Sequence, residues 1–201
     1  RPGTLSLPAL PPLSLYFHYP WCVRKCPYCD FNSHEPEGGA GRIPEADYLT
    51  ALRSDIEAAL PLIWGRRIVS IFIGGGTPSL LSAKALDTLL SDVRALLALE
   101  ADCEVTLEAN PGTVEAGRFA DYRNAGVNRL SIGVQSFDDA KLQALGRIHD
   151  RGQALRAIDM ARQVFDNFNI DLMYGLPDQD FAAAQDDVEQ ALALAPPHPS
   201  P

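Results

Sequence analysis

The chain is organised around residues 22–29, Cys22-Val23-Arg24-Lys25-Cys26-Pro27-Tyr28-Cys29, which place three cysteines within eight residues at the spacing C-x3-C-x2-C. Thiolates are the usual protein ligands of iron–sulfur clusters, so this stretch indicates a cluster site. Three thiolates can hold three irons of a cubane cluster, and the fourth iron could then bind a small molecule. Cys103 lies in an alternating apolar run, and we interpret it as a buried hydrophobic residue.

Other interpretations of the same cysteines compete with the cluster. A structural zinc site needs four ligands, and His18 or His34 could supply the fourth. Disulfides are disfavoured, because a group of three cysteines leaves one unpaired and nothing else indicates secretion. Chance clustering of inert cysteines is rare at this density.

Composition limits the class of protein. The 201 residues are enough for one domain with a sizeable core. Seventeen basic and 26 acidic residues give a net charge of -9, which argues against nucleic acid as the main partner. No run is apolar for long enough to span a bilayer, and the start does not resemble a signal peptide. A thiolate cluster without a leader predicts a cytoplasmic protein.

The two ends of the sequence predict a piece of a longer protein. The chain does not begin with Met, and residues 195–201 form a proline cluster directly after a helix-like run. We therefore expect an irregular lead-in over residues 1–12. Residues 13–201 should form one core domain that lacks its C-terminal part.

Five strand patterns alternate with helical patterns, which predicts an α/β fold with a parallel sheet and right-handed crossovers. A doubly wound sheet and a (β/α) barrel both satisfy this succession, but five units are too few for an eight-stranded barrel. They fit most of a six-stranded partial barrel. The chain should then stop where strand six begins, leaving strands one and five with unpaired edges. The predicted strands are residues 13–19, 68–73, 103–108, 129–134 and 169–173.

Each predicted strand ends in residues that suit a ligand site, because ligands bind at the carboxyl ends of parallel strands in both architectures. Three cysteines follow the first strand and Gly74-Gly75-Gly76 follows the second, while Glu108, Gln135 and Asp171 lie near the other ends. Each has an ordinary alternative: a turn for the glycines, and a salt bridge or a cap for the polar residues. Together they predict a polar, metal-bearing site at one rim.

Several motifs resemble known families. The cysteine spacing, with Tyr28 before the last cysteine, resembles the cluster loop of the radical S-adenosylmethionine (SAM) superfamily. From about residue 13 onward, further motifs resemble the oxygen-independent coproporphyrinogen III oxidase family. These motifs are Tyr-Phe-His-Tyr-Pro, Gly-Gly-Gly-Thr-Pro, Glu-Ala-Asn-Pro, Ser-Ile-Gly-Val-Gln-Ser-Phe and Asp-Leu-Met-Tyr-Gly-Leu-Pro.

This resemblance implies a partial (β/α)6 TIM-like barrel of the radical SAM type with about five βα units present. It also implies a 4Fe–4S cluster and S-adenosyl-L-methionine as cofactors; two molecules of the latter can bind in that family. The cluster ligands would be Cys22, Cys26 and Cys29. The S-adenosylmethionine contacts would be Tyr16, Tyr28, Gly75, Gly76, Thr77, Glu108, Gln135, Arg147 and Asp171.

One position departs from the oxidases, which carry a further cysteine where this chain has Phe31. This variant, with the downstream motif Gly-Arg-Ile-His at residues 146–149, resembles the HemW subfamily, whose members are regarded as heme chaperones. The resemblance implies that heme is a cargo passed to acceptor proteins. It also implies that a C-terminal domain, with the heme site, lies beyond residue 201. A homodimer and a membrane-associated acceptor are compatible with it.

The resemblance leaves the question of enzyme activity open between two functions. A heme chaperone would be oxidoreductase-like in sequence without catalysing the oxidase reaction. The alternative is an oxygen-independent coproporphyrinogen III oxidase, which decarboxylates coproporphyrinogen III to protoporphyrinogen IX by radical chemistry in heme biosynthesis.

Overall fold

The computed structural model describes residue 3 and residues 10–39, 42–63, 65–112, 117–194 and 196–200, the last three by their backbone. Most of the expected lead-in, residues 1–12, lies outside the described residues. None of the helices in the described part of the chain is both long enough and apolar enough to cross a membrane.

Six strands alternate with helices along the chain. The strands are β1 (Leu13–Tyr19), β2 (Ile68–Gly75), β3 (Leu99–Ala109), β4 (Arg129–Gln135), β5 (Phe168–Leu172) and β6 (His198–Ser200). The α-helices are α1 (Glu45–Ile63), α2 (Ala83–Leu96), α3 (Phe119–Ala125), α4 (Asp139–Ala144), α5 (Arg151–Val164) and α6 (Phe181–Ala193), and a 3-10 turn covers Pro78–Leu80.

The order of the strands decides between the two predicted architectures. The sheet runs consecutively from β1 to β6, and every neighbouring pair is parallel. A doubly wound sheet would reverse its order at a switch point. With right-handed crossovers, a consecutive order places the connecting helices on one face of the sheet. The prediction of a partial (β/α)6 barrel is confirmed over the doubly wound alternative.

The prediction that the chain ends before strand six is wrong. Residues 198–200 form β6, which pairs with β5 from Asn169↔His198 to Asp171↔Ser200. The edge of β5 is therefore covered along this stretch, whereas β1 is a terminal strand as predicted. Proline is depleted in strands because it lacks an N–H donor, so a proline-rich segment gave no strand pattern to recognise.

The core lies between the sheet and the helices. Cys103, Val105 and Leu107 of β3 are buried in it, which confirms the hydrophobic interpretation of Cys103. Alternation along the strand places Thr106 and Glu108 on the opposite, concave face. Burying a Leu or Ile side chain contributes roughly 1.5–3 kcal/mol, and α2 supplies several such residues to this layer. They are Leu86, Leu89, Leu90 and Val93.

Candidate cluster and cofactor site

The cysteine-bearing segment forms a closed loop directly after β1. The Cys22 amide donates to the His34 carbonyl at 2.9 Å, and the His34 amide donates to the Pro20 carbonyl at 2.7 Å. Inside the loop, a carboxylate oxygen of Glu35 accepts from the Lys25 amide at 2.9 Å. Because the two ends of the loop meet, all three clustered cysteines stay at the carboxyl end of β1.

The glycines at the carboxyl end of β2 form the surface on which this loop rests. The Gly76 amide donates to the Tyr19 carbonyl at 2.6 Å, and the Thr77 amide donates to the Trp21 carbonyl at 2.8 Å. A Cβ atom would meet the Tyr19 oxygen at 2.8 Å if placed on Gly75, and the Trp21 oxygen at 2.6 Å if placed on Gly76. Gly75 also has a φ of 114°. Any side chain here would push β2 away from the cysteine loop.

The loop and the strand ends surround a cavity of about 280 Å³. Its wall brings together all the predicted site residues except Tyr16. They are Cys22, Cys26, Tyr28, Cys29, Gly75, Gly76, Thr77, Glu108, Gln135, Arg147 and Asp171.

Tyr16 lies beside the cavity rather than in its wall. Its ring stacks on Phe72 with a centroid distance of 6.2 Å, and its hydroxyl contacts Nδ1 of His18 at 3.1 Å. Partial burial raises the pKa of Tyr16, and the charge of Glu108 raises it further. The side chain is 56% exposed, so its predicted contact with S-adenosylmethionine stays a prediction.

All three clustered cysteines are free thiols, with Cys22 buried and Cys26 and Cys29 partly exposed toward the cavity. In the part of the chain that the structure describes, no three His, Cys, Asp or Glu side chains converge on a position for one metal ion. A cubane cluster places each thiolate on a different iron, so its ligands need not meet at one point.

The two histidines considered as a fourth zinc ligand already have other partners. Nε2 of His18 contacts the Asn32 carbonyl at 2.8 Å, and its Nδ1 faces the Tyr16 hydroxyl. Nε2 of His34 contacts the side-chain oxygen of Asn32 at 3.0 Å. These contacts close the cysteine loop, and they favour a structural role for both rings.

Arg147 connects the cysteine loop to β3 and β4. Its Nη2 donates to Oδ1 of Asn110 at 2.6 Å and to the Gly133 carbonyl at 2.8 Å. Its Nη1 points to the Tyr28 hydroxyl at 3.5 Å and to the Cys26 sulfur at 3.8 Å. A guanidinium held in this way has a fixed orientation, which suits recognition of a carboxylate.

Gly146 allows the Arg147 segment to approach the cysteine loop. It has a φ of 72°, and a Cβ atom there would meet Cδ of Pro27 at 2.8 Å. A larger residue would separate the two loops and move the guanidinium away from Cys26.

Glu108 is a partly buried acceptor at the end of β3. Its Oε2 accepts from the Gly75 amide at 3.1 Å. Burial raises the pKa of Glu108 to about 6; the Asp171 charge adds to the rise, whereas the Gly75 hydrogen bond and His18 oppose it. When ionised, the carboxylate has further lone pairs that can accept from ribose hydroxyls.

Asp171 lies two strands away, on the same concave face. It accepts from the Ser131 hydroxyl at 2.6 Å and from the Asn169 side-chain amide. Burial raises the pKa of Asp171, while the Ser131 and Asn169 hydrogen bonds and the Arg129 charge lower it. The cavity thus has acceptors on β3 and β5 and a cation above β4.

Asn110, directly after β3, was not predicted as a site residue. Besides accepting from Arg147, it donates from Nδ2 to the Thr77 hydroxyl at 3.3 Å. Its spacing of two residues from Glu108 could have indicated it, because side chains two residues apart in an extended chain lie on the same face. Ser131, Gly133 and Met173 also line the cavity and were not predicted.

Comparison with known proteins then decides the family. The family model described as the radical SAM superfamily matches residues 16–189. The chain belongs to the radical SAM superfamily. Membership implies a 4Fe–4S cluster and S-adenosylmethionine. The residues fit both groups, since three free thiols adjoin the glycines at the end of β2, two partly buried carboxyl groups and an oriented guanidinium.

Relatives of this radical SAM chain include proteins named heme chaperone HemW. The one from Escherichia coli strain K12 is 57% identical over 190 residues, covering 94% of this chain and 50% of that protein. The one from Haemophilus influenzae is 52% identical over 197 residues, covering 96% and 51%. The chain spans about half the length of these curated relatives.

A solved structure is also similar to this radical SAM chain. It is coproporphyrinogen III oxidase (HemN) from Escherichia coli, described as a radical SAM enzyme. The TM-score is 0.81 at 32% sequence identity, with 92% of this chain and 42% of that chain covered.

Proposed function

We propose that this chain is the cluster- and S-adenosylmethionine-binding part of a heme chaperone, which binds heme and transfers it to acceptor proteins. The observation that carries the proposal is the 57% identity, over 94% of the chain, to a protein named heme chaperone HemW. This chain covers 50% of the length of that relative, and we propose that the heme site itself lies beyond residue 201.

Phe31 supports the chaperone over the oxidase. It lines the cavity beside Cys29, at the position where the oxidase family carries a further cysteine. A phenyl ring cannot bind iron or carry redox chemistry, and it leaves an exposed aromatic surface at the wall. The chain therefore lacks, at this point of the cavity wall, the additional thiol that distinguishes the oxidase family.

Different residues of the cavity would bind the cluster and S-adenosylmethionine. Cys22, Cys26 and Cys29 would bind the cluster, which when bound supplies an open iron and an electron to S-adenosylmethionine. The remaining residues position the ligand. Gly75, Gly76 and Thr77 would face its amino group, Arg147 its carboxylate and Glu108 its ribose, with Tyr16, Tyr28, Gln135 and Asp171 around them.

Heme retention by the full-length protein tests the proposal. After anaerobic cluster reconstitution, titration with heme followed by gel filtration should give a protein fraction with a stable Soret band. A protein that contains iron and sulfide but elutes without heme would contradict the chaperone function.

The similarity to the HemN structure favours a second candidate, the oxygen-independent coproporphyrinogen III oxidase. The same reconstituted protein, supplied with reductant and S-adenosylmethionine under anaerobic conditions, should form no protoporphyrinogen from coproporphyrinogen III. Product formation in this assay would establish the oxidase instead.

We further propose that the protein works in the cytoplasm, where reducing conditions keep its thiols free. Residues 13–201 would form an incomplete radical SAM core, followed by a C-terminal domain. Heme and its acceptors, including membrane-associated ones, are the proposed partners, and the net charge of -9 argues against nucleic acid. Light scattering of the full-length protein would decide between a monomer and a homodimer.

A further inference from the structure

Strand β4 is irregular where it reaches the cavity. Its pairing register with β5 shifts between Gly133 and Gln135. Gln135 has a φ of 71°, in the left-handed region that residues other than glycine rarely adopt. Irregularities of this kind change the direction of backbone and side-chain groups, and they persist only where surrounding contacts hold them.

Two side chains of the segment between α4 and α5 bind this irregular stretch. Arg147 donates to the Gly133 carbonyl from the cavity side. His149 contacts the next carbonyl, that of Val134, through Nε2 at 3.1 Å. A carbonyl oxygen only accepts, so Nε2 must carry the proton in this contact. One short segment is thus attached to two successive carbonyls.

His149 does not line the cavity. A histidine is also unfavourable at a buried position where the side chain only fills the core. It is 5% exposed, and Nδ1 is buried without a hydrogen-bond partner in the described chain. Burial, together with the Arg147 charge, lowers the pKa of His149 to about 4, so the ring is neutral at physiological pH. A leucine would fill this volume without an unsatisfied nitrogen, which indicates that the bond to Val134 is what requires a histidine.

The Arg147 segment has its anchors on both sides of the arginine. Leu145 is buried two residues before it and His149 two residues after it. Asp150 then begins α5 with a reciprocal capping box to Gln153. With both flanking residues fixed, the backbone of Arg147 is held where its guanidinium reaches Asn110 and the Gly133 carbonyl, so loosening His149 should weaken these contacts.

We propose that His149 is a positioning residue for S-adenosylmethionine binding, which holds the Arg147 segment on the β4 irregularity and so directs the guanidinium at the ligand. The inference rests on the proposed role of Arg147 in that site. His149 itself touches neither the ligand nor the cluster in this scheme.

Two variants of the reconstituted full-length protein separate positioning from core filling. In His149→Gln the side-chain N–H can replace Nε2, whereas His149→Leu fills the space without a donor. We expect His149→Leu to weaken S-adenosylmethionine binding roughly tenfold, with unchanged iron content, and His149→Gln to bind close to the parent. Without ligand or cluster, amide exchange of residues 145–150 should accelerate in His149→Leu only.

A double variant tests whether His149 acts through Arg147. In an Arg147→Ala background, His149→Leu should cause no further loss of affinity. An additive loss of affinity in the double variant would overturn the inference. So would an affinity of His149→Leu equal to that of the parent. An equal loss of affinity in His149→Leu and His149→Gln, with lower melting temperatures in both, would also overturn it. If the unmodified protein binds no S-adenosylmethionine, the proposed cofactor site and this inference are both contradicted. The heme chaperone function is tested separately, by heme retention.

Discussion

The carboxyl group of Glu108 is partly buried at the end of β3, where desolvation makes its negative charge costly. Its folded-state pKa of about 6 lies above the ordinary value of 4.5, so the folded chain binds the proton more tightly than the unfolded chain. The free energy of unfolding therefore falls as pH rises from about 4.5 to about 6, and it stays lower at neutral pH. If Glu108 binds S-adenosylmethionine as proposed, it contributes to binding at the expense of stability.

Replacing Glu108 with Gln should therefore stabilise the protein without ligand at pH 7 while weakening S-adenosylmethionine binding. A pKa shift of this size corresponds to about 2 kcal/mol. Chemical unfolding of the parent and the variant at pH 7.5 and pH 5 measures this difference in the free energy of unfolding. The difference should be smaller at pH 5. The exposed residue Glu37, replaced in the same way, is the control, and its replacement should leave the free energy of unfolding close to that of the parent. Equal stability of parent and Glu108→Gln at pH 7.5 would contradict the burial argument.

The four cysteines give a second test at the level of single residues. Removing Cys22, Cys26 or Cys29 by substitution with Ala should abolish retention of iron and acid-labile sulfide, because each thiolate holds a separate iron. Cys103→Ala is the matched control, since Cys103 is buried in the helix-side core and should only lower the melting temperature. Full cluster content in any one of the first three variants would exclude that cysteine as a ligand.

At the scale of elements, the turn after β2 is the point where the sheet and the cysteine loop meet. Gly76→Ala would place Cβ against the Trp21 carbonyl, which is backbone and cannot move aside. We expect a loss of stability of about 1–3 kcal/mol and much less reconstituted cluster. In Gly152→Ala, within helix α5, Cβ meets two side-chain ends, that of Arg156 at 3.2 Å and that of Asp150 at 3.3 Å, and no backbone atom, so this control should keep its cluster. Calorimetry and iron content compare the two variants.

How much of these elements the sequence could predict depends on the kind of signal each one carries. Alternation and β-branched runs identified β1 to β5, and the carboxyl-end rule then grouped the cysteines with Glu108, Gln135 and Asp171. The pairing of β6 was missed, because its interaction is made by backbone and its sequence is proline-rich. The irregularity at Gln135 was also missed, since a positive φ at a residue other than glycine is imposed by tertiary contacts such as that of His149.

For the whole molecule, the concave face and the helix-covered face have different sources of stability. The apolar core lies between the sheet and the helices, and it contains none of the three cluster cysteines. The cysteine loop contributes Trp21 to the edge of that core and is otherwise held by hydrogen bonds to backbone. Loss of the cluster should therefore release the loop without unfolding the barrel.

Removal of the cluster by chelation from the full-length protein tests this separation directly. Hydrogen exchange of amides in residues 22–35 should accelerate by a large factor, because only a few hydrogen bonds then restrain the loop. Amides of β2, β3 and β4 should keep their protection, since Ile71, Leu107 and Ile132 remain buried in the core. Circular dichroism should show the same helix content before and after chelation. Cooperative loss of strand protection together with the loop would mean instead that cluster binding and folding of the sheet are one transition, as in small metal-dependent domains.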